Sequence, residues 1–167
     1  VSERFDYEAE LAVVIGKPAR HSTMANALDC VFGYSCFNDM SVRDFQRKST
    51  QWTVGKNFDR TGAFGPELVT PDELPAGASG LRIATRLNGE TMQDSTTADM
   101  IFPVARLVSI LSQAMTLETG DVVATGTPSG VGYARTPPRF LQPGDVVEVE
   151  IEGIGVLKNP VVDEPAG

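Results

Sequence analysis

Histidine is almost missing from this sequence, which contains a single one, His21. A structural zinc site needs four histidine or cysteine ligands and the chain has three such residues in all, so a conventional zinc cage is excluded. His21 stands in a polar turn between Arg20 and Ser22, where a surface position is expected. The two cysteines, Cys30 and Cys36, lack a CxxC spacing and have apolar neighbours, which predicts free buried thiols in a reducing cytosol.

Basic residues are also scarce. The chain has 14 lysines and arginines against 22 aspartates and glutamates, a formal charge of −8. Nucleic acid and anionic membrane surfaces require clustered positive charge, so neither is expected as a partner. No segment approaches the roughly 18 apolar residues of a membrane span, and no signal peptide is visible. These absences predict a soluble cytoplasmic protein that acts on a small molecule.

Several familiar catalytic motifs are missing as well. The sequence has no Gly-x-Ser-x-Gly and no plausible Ser/His/Asp set. The glycine-rich stretch "ATGTPSGVG" lacks the GxxxxGK[ST] pattern of a phosphate loop, and no helix is predicted after it. Its backbone N–H groups and the Thr127 hydroxyl could instead receive an anionic group.

The chain has enough apolar residues, 41% of its 167, for one domain with a proper core. Short apolar segments punctuated by glycine and proline predict an α+β fold that is mainly β. The "NG" at residues 88–89 predicts a tight hairpin, and apolar residues along one face predict a helix over residues 103–115. The expected strands are residues 9–15, 34–38, 81–87, 90–93, 121–124 and 145–152, with a helix from Ser22 or Thr23 to Phe32 and a helical turn over 41–47.

Two glutamates stand at the start of the first apolar strand, in "YEAELAVVIG". Residues two apart in a strand share a face, so the carboxylates of Glu8 and Glu10 are expected side by side. Such a pair either holds a hard cation such as Mg²⁺ or Mn²⁺ or marks an exposed strand end. The alternating Glu148, Glu150 and Glu152 differ, because a uniformly acidic face opposite β-branched residues is typical of a solvated sheet face.

A third carboxylate, Asp39, follows the next apolar strand in "CFNDMSVRDFQ". Arg43 and Gln46 follow it at helical spacing, so they could bind a carboxylate and supply an amide donor. Alternatively, Asp39 caps the turn and Arg43 pairs with Asp44 or another surface acid. Lys56, in "TVGKNFD", could stabilise an enolate or extend to water.

Taken together, these segments resemble the fumarylacetoacetate hydrolase family, and in particular its bacterial members that act on 2-oxo acids in aromatic breakdown. Seven blocks carry the resemblance and keep their order from about Asp6 to Val161. They are "DYEAELAVVIG", "FGYSCFNDMSVRDFQ", "QWTVGKNFD", "GAFGP", "NGETMQDSTTADMIF", "LSQAMTLETGDVVATGTPSGVG" and "LQPGDVVEVEIEGIGVLKNPV".

The resemblance implies a roll of mixed β-sheets with a few short helices, assembled as a homodimer. It implies a Mg²⁺ or Mn²⁺ site formed by Glu8, Glu10 and Asp39. By position, Lys56 matches the catalytic lysine near the metal. Arg43, Gln46 and Thr127 match the residues that bind the substrate.

The resemblance also implies an activity on a 2-oxo or enol dicarboxylic acid. Hydrolysis of a C–C bond in an acylpyruvate or fumarylacetoacetate-like substrate is the first expectation. A 2-hydroxyhepta-2,4-diene-1,7-dioate isomerase, a 2-oxo acid decarboxylase and a non-catalytic binder are the alternatives. Family members carry a water-activating His and Glu pair on an upstream lid that His21 does not match, so residues 1–167 are expected to be a single catalytic domain lacking its N-terminal lid segment.

Overall fold

Strands dominate the computed structural model, which describes residues 1–164. The strands are β1 Phe5–Asp6, β2 Ala9–Ile15, β3 Val31–Asn38, β4 Ser41–Val42, β5 Ala63–Val69, β6 Arg82–Leu87, β7 Glu90–Thr96, β8 Val122–Ala124, β9 Val146–Ile151 and β10 Gly155–Pro160. The α-helices are α1 Arg43–Gln46 and α2 Val104–Ala114. Short 3-10 helices lie at Ala27–Cys30, Trp52–Lys56, Pro71–Glu73, Ala76–Ala78, Thr97–Asp99 and Gly132–Ala134.

The strands form two four-stranded sheets and a small two-stranded one. The first large sheet has the order β5-β3-β2-β8, the second has the order β10-β9-β6-β7, and β1 pairs with β4. Every strand pair within residues 1–164 is antiparallel. The α+β, mainly β class with few short helices is therefore confirmed.

The main core lies between the inner faces of the two large sheets. Leu11 and Val13 of β2 and Val149 of β9 are almost wholly buried there, and α2 covers one end with Val104 and Val108. In β2 the apolar side chains at odd positions enter this core because alternate residues of a strand face opposite sides. The even positions, which include Glu10, face outward from the same strand.

The "NG" hairpin between β6 and β7 is confirmed. Asn88 and Gly89 have φ angles of 53° and 84°, as a two-residue turn of this type needs. Further along the hairpin, Thr85 pairs with Gln93 and Arg86 pairs with Thr91, which leaves Met92 as an extra residue in β7. This β-bulge allows both Met92 and Gln93 to be buried.

The helix predicted from Ser22 or Thr23 to Phe32 is wrong. Thr23 bonds to the Asn26 side chain in a local turn, and a short 3-10 helix follows before β3 begins at Val31. Gly33, which suggested a helix end, lies inside β3. An added Cβ there would come within 2.7 Å of the Val69 carbonyl oxygen, so glycine serves the close approach of β5.

The helix predicted over residues 103–115 is confirmed as α2, with one correction to its apolar face. Val104 and Val108 are buried, but Met115 is 53% exposed, because it is the cap residue beyond the last turn, with an extended backbone. Ser109 and Ser112 are buried instead. Both cysteines are free and buried, as predicted. Among the residues described, no helix combines the length and hydropathy needed to cross a bilayer.

Candidate metal centre

The pairing of β2 with β3 brings three carboxylates together. Because the strands are antiparallel, the start of β2 lies beside the end of β3, with Glu10 opposite Phe37. The Asp39 backbone N–H donates to the Glu8 carbonyl oxygen at 2.9 Å, which fixes the residue after β3 beside the residue before β2. One carboxylate oxygen each of Glu8, Glu10 and Asp39 lies within 4.8 Å of the others.

Lys56 bridges two of these carboxylates. Its Nζ atom lies 2.6 Å from Glu8 Oε2 and 2.5 Å from Asp39 Oδ2. An ammonium group has three N–H donors, so one remains free for another acceptor. The side chain is one-fifth exposed and does not simply extend into water.

Arg43 supports the cluster from the protein interior. Its Nε donates to Asp6 Oδ2 at 2.8 Å, and its Nη1 lies 2.6 Å from Glu8 Oε1 and 3.1 Å from Gln46 Oε1. Burial alone would lower the pKa of Arg43, but the charges of Asp6 and Glu8 outweigh it and raise that pKa. Arg43 therefore does not pair with Asp44, whose carboxylate accepts from the Ser2 hydroxyl.

Asp6 organises a loop around this arginine. Its Oδ1 accepts the backbone N–H of Gly132 at 2.7 Å, and its Oδ2 accepts that of Tyr133 at 3.0 Å. The Tyr133 ring then lies 4.7 Å from the Arg43 guanidinium carbon, a cation–π arrangement. An added Cβ on Gly132 would come within 2.6 Å of Asp6 Oδ1, so this loop needs a glycine.

The carboxyl group of Glu10 is the most strongly perturbed acid of the site. Burial raises its pKa to about 7, partly offset by a hydrogen bond from the Gly126 N–H, and the charges of Asp39 and Glu8 raise it further. Burial also raises the pKa of Asp39, although Lys56 opposes the shift. Both shifts arise first from burial, which disfavours the ionised form of each carboxylate, and a bound cation would oppose them.

The charge balance and the ligand atoms fit a divalent cation. Four carboxylates face two cationic side chains, so the fully ionised group carries a net charge of −2; its members are Asp6, Glu8, Glu10, Asp39, Arg43 and Lys56. Mg²⁺ binds oxygen ligands at about 2.1 Å, which places opposite ligand oxygens about 4.2 Å apart. The three carboxylate oxygens lie within 4.8 Å of one another, which is close to that spacing. The role of Glu8, Glu10 and Asp39 as ligands remains a prediction that this geometry supports.

Thr127 lies in the loop after β8 and, within residues 1–164, its side chain forms no hydrogen bond with the three carboxylates. Its Oγ1 accepts a hydrogen bond of 2.9 Å from Gln93 Nε2. The preceding Gly126 N–H donates to Glu10 Oε2 at 2.9 Å, so the loop after β8 touches the cluster through its backbone. Gln46 is connected to the cluster through Arg43, whose Nη1 donates to Gln46 Oε1.

Three residues that contact the site residues were not identified as candidates from the sequence: Asp6, Gln93 and Tyr133. Asp6 precedes Glu8 by the same two-residue step that singled out Glu10, so the spacing could have found it. Gln93 follows a bulge that the sequence pattern does not show, and Tyr133 depends on a distant loop. His21 is exposed, and its backbone N–H donates to the Ser112 carbonyl oxygen near the end of α2.

The acidic residues of β9 show the ordinary alternative. Glu148 and Glu150 pair with Arg86 from the neighbouring strand, and Glu148 also pairs with Lys158. Ion pairing lowers the pKa of Glu148, mainly through Lys158 and then Arg86. These carboxylates are neutralised at the surface, as predicted for a solvated sheet face.

The sequence matches the family described as fumarylacetoacetate (FAA) hydrolase, C-terminal, over residues 1–162. A similar curated protein is oxaloacetate tautomerase YisK of Bacillus subtilis, 45% identical over 161 residues. The match covers 96% of this chain and 53% of the relative, so the chain spans about half of that protein's length.

Solved structures agree with the fold. Fumarylacetoacetate hydrolase (EaFAH) from psychrophilic Exiguobacterium antarcticum is 45% identical with a TM-score of 0.94, covering 98% of this chain and 58% of that one. Fumarylpyruvate hydrolase from Pseudomonas aeruginosa, solved in complex with Mn²⁺ and pyruvate, is 34% identical with a TM-score of 0.87, covering 98% and 68%.

Proposed function

The chain belongs to the fumarylacetoacetate hydrolase family, and from that premise we propose that it forms the catalytic domain of a metal-dependent oxaloacetate tautomerase. The reaction interconverts the keto and enol forms of a 2-oxo dicarboxylate by moving a proton between C3 and the oxygen on C2. This reaction is an isomerisation, like that of the 2-hydroxyhepta-2,4-diene-1,7-dioate isomerase considered from the sequence, but on a different substrate. It now precedes C–C bond hydrolysis because the 45% identical Bacillus relative is a tautomerase.

One observation carries the proposal: three carboxylates converge within 4.8 Å beside a lysine that keeps one free N–H. Glu8, Glu10 and Asp39 would hold a divalent cation, with Mg²⁺ or Mn²⁺ as the hard ions that oxygen ligands select. When bound, such a cation supplies Lewis-acid polarisation of the 2-oxo group. The Mn²⁺ in the Pseudomonas relative supports this choice.

Lys56 would stabilise the charge that develops on the substrate. As the proton leaves C3, negative charge accumulates on the oxygen bound to C2, and the third N–H of Lys56 would donate a hydrogen bond to it. Glu8 and Asp39 hold the ammonium in place at 2.6 and 2.5 Å, so the donor needs little reorganisation. Its partly exposed position leaves room for a ligand.

Three further residues would position the substrate. Thr127 would donate its hydroxyl to a substrate carboxylate, while Arg43 and Gln46 would line the opposite side. Arg43 also holds Glu8 at 2.6 Å, which keeps a ligand oxygen aimed at the cation. The positive charges of Arg43 and Lys56 would thereby lie near the carboxylates of the 2-oxo acid.

Hydrolysis of a C–C bond in an acylpyruvate is the second candidate. The Exiguobacterium and Pseudomonas hydrolases share this fold and support it. Both reactions stabilise an enolate at the same place. Hydrolysis in addition requires a base that activates water.

The decisive experiment follows the ultraviolet absorbance of enol oxaloacetate as it converts to the keto form. With Mn²⁺ present, the chain is expected to accelerate the decay over the rate in buffer and Mn²⁺ alone. Lys56→Met is expected to lower kcat by about 100-fold, the effect of losing one preorganised donor, while Mn²⁺ affinity by calorimetry stays within a few fold.

Glu10→Gln is expected to abolish both Mn²⁺ binding and activity. Glu90→Gln, at an exposed position without an ion pair among residues 1–164, is the matched control and should behave like the parent. No acceleration by the Mn²⁺-loaded parent would contradict tautomerase activity. Release of pyruvate from fumarylpyruvate in a parallel assay would favour the hydrolase instead.

We also propose a cytoplasmic homodimer. Two free buried thiols support a reducing compartment. For the dimer, Phe64 and Val122 lie on the outer face of the sheet that carries Glu10 and are 45% and 50% exposed. Apolar side chains exposed on one sheet face support a protein interface.

A further inference from the structure

Gln93 is a fully buried amide whose hydrogen-bonding capacity is used completely. It is 1% exposed and lies on β7 directly after the bulge at Met92. Without the extra residue, Met92 would stand opposite Thr85 and Gln93 would face the outside of the sheet. The bulge therefore turns Gln93 inward, toward the start of β2.

The partners of Gln93 fix which way its amide points. Oε1 accepts from the Ala9 backbone N–H at 3.1 Å and from the Thr85 hydroxyl at 2.7 Å. Nε2 donates to the Pro128 carbonyl oxygen at 2.8 Å and to Thr127 Oγ1 at 2.9 Å. A backbone N–H can only donate and a carbonyl can only accept, so the flipped amide would lose these bonds.

This orientation decides what the Thr127 hydroxyl can do. A hydroxyl has one hydrogen to donate, and here its oxygen already accepts from Gln93. Within the described part of the chain, Thr127 donates its own hydrogen to no acceptor. The hydrogen is thus directed away from Gln93 and available to a ligand.

We propose that Gln93 is a positioning residue that holds Thr127 as a hydrogen-bond donor for a carboxylate of the substrate. Gln93 itself does not touch the substrate. The proposal rests on the proposed function, because it assigns Thr127 to the site that binds the 2-oxo acid. It adds the reason why the Thr127 hydroxyl acts as a donor toward the substrate: its oxygen already accepts the hydrogen bond from Gln93.

The same amide also reaches the metal ligands. Ala9 lies between Glu8 and Glu10, so its bond to Gln93 fixes the backbone from which both carboxylates project. An effect of Gln93 on substrate binding can therefore pass through Thr127 or through β2. The two routes are separable, because only the first depends on the Thr127 hydroxyl.

The test is a double-mutant cycle on the whole chain, read by calorimetric binding of oxalate to the Mn²⁺-loaded protein. Gln93→Met keeps the volume but removes the amide, and Thr127→Val removes only the hydroxyl. Each is expected to weaken oxalate binding about tenfold, the value of one hydrogen bond to a charged group. The double variant should bind no more weakly than Thr127→Val, and Thr127→Ser should restore parental affinity.

Turnover of oxaloacetate gives a second readout. Loss of a binding contact that is equal in ground and transition states raises KM and leaves kcat unchanged, so both single variants should show about a tenfold higher KM with kcat within twofold. The proposal would be overturned if Gln93→Met weakened oxalate binding by the same factor in the parent protein and in the Thr127→Val variant. Parental oxalate affinity in either single variant would also overturn it.

Gln93→Met leaves the Ala9 N–H without its acceptor and can fail to fold. Thr85→Val is the milder variant, since it removes one of the two donors that hold Gln93 Oε1. It is expected to weaken oxalate binding two- to threefold in the parent and not at all in Thr127→Val. Unchanged binding in both backgrounds would count against the proposal. Oxalate binding without oxaloacetate turnover would refute the tautomerase but leave the role of Gln93 intact.

Discussion

Glu10 is an acid near the start of the buried strand β2, where burial disfavours its charged form. Its carboxyl group is 3% exposed, receives one hydrogen bond and faces two other carboxylates. Its pKa is about 7, whereas the same group in the unfolded chain titrates near 4.5. Between pH 4.5 and about pH 7, the metal-free folded protein therefore keeps a proton on Glu10 that the unfolded chain has released.

The first prediction concerns the stability of the metal-free protein. Because the folded state binds the extra proton, the free energy of unfolding falls as pH rises from 4.5 to 7, and the penalty is complete by pH 8. Glu10→Gln removes the charge, and its amide oxygen can still accept from the Gly126 N–H. We expect the variant to be more stable than the parent by about 3 kcal/mol at pH 8 and equal to it near pH 4.5.

Thermal unfolding in the presence of a chelator measures this difference. Adding Mn²⁺ should reverse the order at pH 8, because the parent gains binding free energy that the variant has lost. Glu90→Gln is again the control and should follow the parent at every pH. A metal-free Glu10→Gln protein that melts below the parent at pH 8 would show that the buried charge is not unfavourable.

At this scale the sequence predicted the residue types of the site well. The two-residue spacing of Glu8 and Glu10 and the position of Asp39 after a strand made these residues candidates, and the family resemblance then favoured a carboxylate cluster over an exposed strand end and a turn cap. The contact between Arg43 and Asp6 was not predictable, because it depends on how the loop around Gly132 returns to β1. Spacing identifies side chains on one strand but not the partners that tertiary folding delivers.

Among the elements, the 3-10 helix Trp52–Lys56 has the most direct effect on the site. It packs on α1 with Gly55 against Gln46, and a Cβ added to Gly55 would lie 2.5 Å from the Gln46 backbone nitrogen. Backbone cannot move aside as the end of a side chain can. The close approach of these two segments is what brings Lys56 onto Glu8 and Asp39.

We therefore predict that Gly55→Ala displaces Lys56 by pushing the two segments apart. A misplacement of about 1 Å lowers kcat for oxaloacetate by roughly 10- to 100-fold, whereas Mn²⁺ affinity should change only a few fold. Thr53→Ala, an exposed change in the same 3-10 helix, is the control. A Gly55→Ala protein with parental kcat would show that Lys56 tolerates this movement or is not catalytic.

Most elements were predictable because their patterns were local. Strand β2, the hairpin at Asn88 and helix α2 follow from apolar periodicity and turn residues. The helix predicted from Ser22 to Phe32 was wrong because Thr23, a candidate cap residue, forms a local turn with Asn26, and Gly33, the candidate helix end, lies inside β3. The bulge at Met92 has no local signal, because it is defined by the pairing of β7 with β6.

For the whole molecule, the outer face of the sheet β5-β3-β2-β8 is expected to be the dimer interface. Val122→Glu places a charge on this face and should shift the protein from dimer to monomer in sedimentation velocity at micromolar concentration. Val156→Lys is the control, because Val156 is 39% exposed on the other large sheet and a lysine there would lie opposite Glu150 without adding a like-charge pair. A parent that sediments as a monomer would exclude the dimer under these conditions.

The bond from the Ala9 N–H to Gln93 joins the two large sheets, since β2 belongs to one and β7 to the other. Ala9 is the first residue of its strand, where fraying normally lets amide hydrogens exchange within seconds. With its hydrogen bond to the other sheet, this amide is expected to exchange with deuterium only when the sheets separate. We expect its exchange to be as slow as that of the strand centre, to quicken in Gln93→Met, and to slow further when Mn²⁺ is added. The exchange rate of this single amide hydrogen would thus measure how often the two sheets separate at the end that carries the carboxylate cluster.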